Sequence, residues 1–102
     1  MEAMTFEFEA GRPAAGRALA GVVGSGDLEV LLEPAVAGKT VVAITTSVDG
    51  MAAIWKAVLA RVLHEALPAA MIEIHDSGAT PGVVRMRLEQ AFEQLADETG
   101  DA

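Results

Sequence analysis

Ser25 is the residue whose neighbours best equip it for chemistry. It stands between Gly24 and Gly26, with Asp27 next in line. Two flanking residues without side chains leave its hydroxyl open from several directions. They also let a phosphate approach the backbone N–H groups closely, as in anion-binding nests. Gly24 or Gly26 is expected to adopt a backbone conformation that a Cβ disfavours. Serine and glycine are ordinary turn residues too, so from these residues alone a plain turn is the commoner explanation.

A serine hydrolase needs more than this. The nucleophile elbow is Gly-x-Ser-x-Gly, and the window Val23-Gly-Ser-Gly-Asp27 lacks both outer glycines. The available bases are His64 and His75. His64 falls near the end of a predicted helix, where it can interact with the helix dipole. His75 lies on the outward face of a predicted strand. Its neighbour Asp76 points to the opposite face and is badly placed to orient the ring. These positions predict no Ser-His-Asp triad and no catalytic residue. Two histidines without any cysteine form no standard metal-ligand spacing, so no metal site is expected. Neither glycine-rich nucleotide-binding motif is present. Gly78-Ala-Thr-Pro-Gly82 could take a phosphate at a helix N-terminus, but more simply it starts a helix. Trp55 reads as a core residue. Arg85 and Arg87 diverge on a helix of ~3.6 residues per turn; they could contact an acidic partner, but read more simply as solvated surface charges.

The elements that position these residues follow from hydrophobic periodicity. Thr5–Glu9 alternates, with Phe6 and Phe8 inward, and predicts an edge-type strand. Gly11–Gly16 is a loop. Two apolar runs, Ala18–Val23 and Leu28–Glu33, flank Gly24-Ser-Gly-Asp27, which predicts a β-hairpin with Ser25 at its tip. Thr40–Thr46 is β-branched and predicts a further strand. Met51, Ile54, Trp55, Val58, Leu59, Val62 and Leu63 then recur at helical spacing, with Asp49 as N-cap and Pro68 as terminator. Met71–His75 predicts a strand with Ile72 and Ile74 inward. Thr80 caps a last helix that starts at Pro81 and has Val84, Leu88, Ala91, Phe92 and Leu95 as its apolar stripe. Glu89, Glu93 and Asp97 belong on its solvent side, and residues 98–102 are expected to fray.

The order β-β-β-β-α-β-α predicts an α+β fold. It is a single domain over 1–102, with a mixed, mostly antiparallel sheet of about five strands covered by two helices. The 102 residues are 52% hydrophobic but only 4% aromatic, so the core is built from small aliphatic groups and disorder is excluded. A formal charge of −8 repels phosphate backbones, which predicts neither nucleic acid nor an anionic membrane as partner. No run reaches the ~20 apolar residues of a bilayer span. The acidic, alternating start is unlike a secretory signal. The absence of cysteine excludes disulfides and thiolate nucleophiles. Together these predict a cytoplasmic protein.

The runs Gly21-Val-Val-Gly-Ser-Gly-Asp-Leu-Glu-Val-Leu-Leu-Glu-Pro34 and Ile72-Glu-Ile-His-Asp-Ser-Gly-Ala-Thr-Pro-Gly82, followed by Arg85-x-Arg-Leu-Glu-Gln-Ala91, resemble the acyl carrier (delta) subunit family of malonate decarboxylase. The resemblance extends over nearly the whole chain, and the Gly-Ser-Gly-Asp turn is its most specific part. It implies a non-catalytic carrier whose fold is not the helical bundle of fatty-acid carriers. It implies that Ser25 bears 2′-(5″-phosphoribosyl)-3′-dephospho-coenzyme A through a phosphodiester, with Gly24, Gly26 and Asp27 as flanking cofactor-site residues. Asp27 would be a turn acceptor or a recognition group for the loading enzyme. The implied partners are that loading enzyme and the acyl-transferase and decarboxylase subunits, which exchange acetyl for malonyl and release carbon dioxide. Ser47 and Ser77 do not match the motif. A citrate lyase-type acyl carrier, or an assembly subunit that carries nothing, are the alternatives.

Overall fold

The computed structural model describes the backbone of residues 1–100 and the side chains through Leu95. The helical backbone continues through Gly100, where the tail from 98 was expected to fray, while residues 101–102 lie outside the described residues and the expected solvent placement of Asp97 lies outside the described side chains. Five strands and two helices follow in the predicted order: β1 (Glu2–Glu9), β2 (Ala18–Gly21), β3 (Leu28–Pro34), β4 (Lys39–Thr46), α1 (Ala52–Val62), β5 (Ala70–Asp76) and α2 (Pro81–Gly100). They form one mixed sheet of order β1-β4-β5-β3-β2. Only β4 and β5 run parallel, joined through α1. The other neighbours are antiparallel. The molecule is therefore the expected α+β domain, and β1 is an edge strand.

Period-two alternation decides which face of the sheet is covered. Leu28, Val30, Leu32, Val42, Ile44, Ile72 and Ile74 are buried in one layer. They share a core with Trp55 and Leu59 of α1 and with Val84, Leu88, Ala91 and Leu95 of α2. A fully buried aliphatic side chain contributes ~1.5–3 kcal/mol, so this layer dominates the stability. The opposite face is open and carries Leu31, Met71, Glu73 and His75. A shallow hollow of about 600 Å³ there is lined by Leu19, Leu31, Met71 and Glu73 among others, and contains no residue of the 24–27 turn. At the start of α2 the Thr80 hydroxyl accepts the Val83 N–H at 3.3 Å, the predicted cap.

Besides β1, which starts at Glu2 rather than Thr5, three boundaries differ from expectation. Strand β2 stops at Gly21, and Val22 and Val23 are exposed in a wider connection than the predicted tip. Helix α1 ends at Val62, well before Pro68. Leu63 leaves the helix in an extended conformation to bury its side chain, and a turn closed by the Leu67 N–H on the His64 carbonyl leads to β5. Asp49 does not cap α1. Met51 holds that position without a side-chain cap, and Asp49 instead pairs with the N-terminal ammonium at 3.2 Å. Met51 and Ile54, expected inward, are exposed, because the core contact of α1 is a narrow stripe centred on Trp55 and Leu59.

Gly21 explains the first of these differences. Its φ is +81°, and a Cβ there would lie 1.9 Å from the Leu28 carbonyl oxygen. Gly21→Ala combines left-handed strain with a backbone clash, and is expected to destabilise the fold by roughly 3 kcal/mol. Chemical denaturation checks this, and an unshifted midpoint would contradict the geometry.

Candidate functional site

The connection between β2 and β3 is built as a closed turn. The Asp27 N–H donates to the Gly24 carbonyl at 3.0 Å, which makes Gly24–Asp27 a four-residue turn. Gly26, its third residue, has φ +76°, the position where a type II turn requires positive φ. Gly24 does not have positive φ, and a Cβ there would make only an ordinary 3.7 Å contact with Val22. Of the two glycines, Gly26 is therefore the one the backbone requires. Between them Ser25 is exposed, and its hydroxyl has no hydrogen-bond partner among the described residues.

The turn is held in place by two separate elements. The loop after β5 exchanges a pair of backbone hydrogen bonds with it. The Gly26 N–H donates to the Ser77 carbonyl at 2.7 Å, and the Ser77 N–H donates to the Asp27 carbonyl at 2.9 Å. That loop is fixed in turn by buried Asp76, which accepts from the Thr46 hydroxyl at 2.8 Å and from the Gly78 and Ala79 N–H groups at 3.2 and 3.0 Å. From α2, Arg87 grips the Asp27 carboxylate bidentately: Nε donates to Oδ1 at 3.1 Å and Nη2 to Oδ2 at 2.6 Å. The Leu28 N–H adds a bond to Oδ1 at 2.7 Å.

The hydrogen bonds from Arg87 are the main reason the Asp27 carboxyl is held below the usual carboxylate range, and the Leu28 N–H reinforces them. The same bonds raise Arg87 above its ordinary value.

Arg87 is thus not the solvated charge that its sequence position suggested. Arg85 is, pairing among the described residues only with exposed Glu89 at 3.7 Å. Helical spacing held the missed signal: Val84, Arg87, Leu88 and Ala91 stand at i, i+3, i+4 and i+7, which places Arg87 on the margin of the buried stripe. Its aliphatic stem passes the bare α-carbon of Gly21, where a Cβ would sit 3.3 Å from Arg87 Cδ. Ser77 was missed as well, because its contribution is backbone and its side chain gives no signal.

His75 is engaged elsewhere. His75 Nδ1 lies 3.1 Å from Glu29 and Nε2 lies 3.4 Å from Glu73, on the open face of the sheet. Asp76 is buried on the other face, as strand alternation requires. His64 is exposed beyond the end of α1. Among the described residues neither ring is hydrogen-bonded to a serine. What this arrangement offers is an exposed hydroxyl on a turn braced by two elements, next to a carboxylate paired with a guanidinium.

A family model described as the malonate decarboxylase delta subunit matches residues 15–95. The chain belongs to that family. The malonate decarboxylase acyl carrier protein of Pseudomonas paraeruginosa is 63% identical over 99 residues, covering 96% of this chain and 100% of the relative. The protein of the same description from Stutzerimonas stutzeri is 56% identical over the same shares. A chain in the crystal structure of a Pseudomonas malonate decarboxylase hetero-tetramer in complex with malonate superposes with a TM-score of 0.90. It is 56% identical, over 93% of this chain and 99% of that one. Membership in the delta-subunit family sets aside the citrate lyase alternative. The matched stretch contains the Ser25 turn, its Ser77 brace and Arg87.

Proposed function

We propose that this chain is the acyl carrier subunit of a malonate decarboxylase, and that Ser25 is the covalent attachment point for 2′-(5″-phosphoribosyl)-3′-dephospho-coenzyme A. The observation that carries this reading is the exposed, unpartnered Ser25 hydroxyl on a turn braced by Ser77 and Arg87. The residues around it suit such a group. Apart from its chain neighbours, nothing lies within 4 Å of the place a Cβ would occupy at Gly26, which leaves that side of the turn open. Asp27 does not oppose it as a bare anion, because Arg87 pairs with the carboxylate first.

The prosthetic group would supply the thiol that a cysteine-free chain lacks, on which partner acyl-transferase and decarboxylase subunits exchange acetyl for malonyl and remove carbon dioxide. The chain's own residues do no bond-breaking in this scheme. Ser25 Oγ provides the oxygen of the phosphodiester. With no histidine bonded to it, the loading enzyme must take the proton. Gly24 and Gly26 give that enzyme access. The carrier is accordingly non-catalytic. The hetero-tetramer that contains the structural neighbour supports a place among partner subunits. No helix among the described residues is long and apolar enough to cross a membrane. Together with the lack of cysteine, this supports a cytoplasmic location.

Intact mass of the chain isolated from its native host tests the reading. It should exceed the 10.5 kDa sequence mass by the mass of the arm. A chain of sequence mass would favour an assembly subunit whose Ser25 is only a turn residue.

A further inference from the structure

A second cavity lies at the same end of the molecule as the Ser25 turn. A cleft of about 190 Å³ opens beyond the carboxyl ends of the parallel strands β4 and β5, where α1 and α2 begin. Crevices at such strand ends are where open sheets with crossover helices take ligands. Its walls include Val48, Met51, Ile54, Trp55, Ala79 and Asp76. Val48, Met51 and Ile54 are 36%, 37% and 48% exposed, so three large apolar side chains face solvent around one opening. Apolar groups gathered in this way mark a binding surface, as scattered ones do not. The cleft and the Ser25 turn share a loop. Asp76, Gly78 and Ala79 line the cleft, and Ser77 between them makes both hydrogen bonds to Gly26 and Asp27.

We infer that this cleft shelters the acyl-thioester end of the group on Ser25, and that it takes acetyl in preference to malonyl; the inference rests on the attachment reading above. The volume is below the ~300–1,000 Å³ of sites for larger ligands and suits a two-carbon acyl end. Tethering raises the local concentration to roughly millimolar, so a weak apolar site is enough. A neutral acetyl group loses little on leaving water for these walls. Malonyl brings a carboxylate next to that of Asp76, and burying it costs both desolvation and like-charge repulsion. Acetyl is therefore protected between turnovers, and malonyl stays outside where a partner subunit can reach it.

Trp55, the one tryptophan of the chain, is a reporter in the wall of the cleft. The experiment uses the armed chain, verified by intact mass, in bare-thiol, acetyl and malonyl forms. Acetylation should shift the Trp55 emission relative to the bare thiol, and malonylation should not. Cleavage of the acetyl thioester by hydroxylamine should be several-fold faster in Ile54→Asp than in the native carrier. Ile54 is half exposed, so this change removes little core contact. The comparison of the three native forms stands even if the variant folds poorly. Identical Trp55 spectra in the bare and acetyl forms, or equal shifts for acetyl and malonyl, overturn the inference alone. A chain without the arm's mass overturns the attachment reading and this inference with it.

Discussion

Ser25→Ala is expected to abolish loading when it is expressed with the loading machinery, while native protein from the same cells should gain the arm. This is the largest effect expected for any substitution in the chain. The variant removes one oxygen from an exposed side chain without a hydrogen-bond partner, so its stability should stay within ~0.5 kcal/mol of native. Function should nonetheless be lost, because no cysteine elsewhere can replace the missing thiol. The loss should lie entirely in loading, with the partner subunits still active on a separately supplied thioester. Intact mass reads the result directly. An alanine variant that still gains the arm places the attachment site elsewhere, with Ser47 and Ser77 the next positions to examine.

The second large effect is expected at Arg87. Arg87→Met leaves the Asp27 carboxylate without its guanidinium partner beside the proposed anionic phosphodiester, and it releases one of the two braces on the turn. Loading should slow by up to ~100-fold, the scale of loss when a reacting group is misplaced by about 1 Å. Adding Asp27→Asn to Arg87→Met removes the stranded charge, and should restore a substantial part of the rate. A double variant no faster than Arg87→Met would show that the charge balance is irrelevant.

The pair also sets a pH dependence. Asp27 is held below its ordinary value of 3.8, so its contribution is fully present above that value and is lost as pH falls through the lower, folded value. From pH 8 down to 5 the mount should be unaffected. An NMR titration of the Asp27 carboxyl should show it protonating at lower pH in native protein than in Arg87→Met.

Much of the fold was legible from periodicity alone. Alternation in 28–33 and 71–75, and helical spacing in 84–95, specify which side chains turn inward, because the pleat and the helix each allow only one apolar face. The residues Gly24-Ser-Gly-Asp27 marked the turn, and strand alternation separates His75 from Asp76. The boundaries of β2 and α1 were not legible. They depend on the clash a Cβ would meet at Gly21 and on where Leu63 finds the core, and both are contacts between segments distant in sequence.

What tertiary structure alone decided is how Ser25 is held. Asp27 and Arg87 lie 60 residues apart, and neither residue type announces its partner. Ser77 braces the turn through backbone atoms, which carry no residue identity. Asp76 looks like a failed catalytic acid in sequence, and proves to be the buried anchor of the loop that carries Ser77. Met51 and Ile54 satisfy a helical stripe yet face an open cleft, because periodicity states which residues share a face and only packing decides whether another element covers it. Local sequence thus determined that a serine would be offered on a turn. The packing of α2 and the β5–α2 loop against that turn decided its rigidity, its electrostatic surroundings and the apolar cleft beside it.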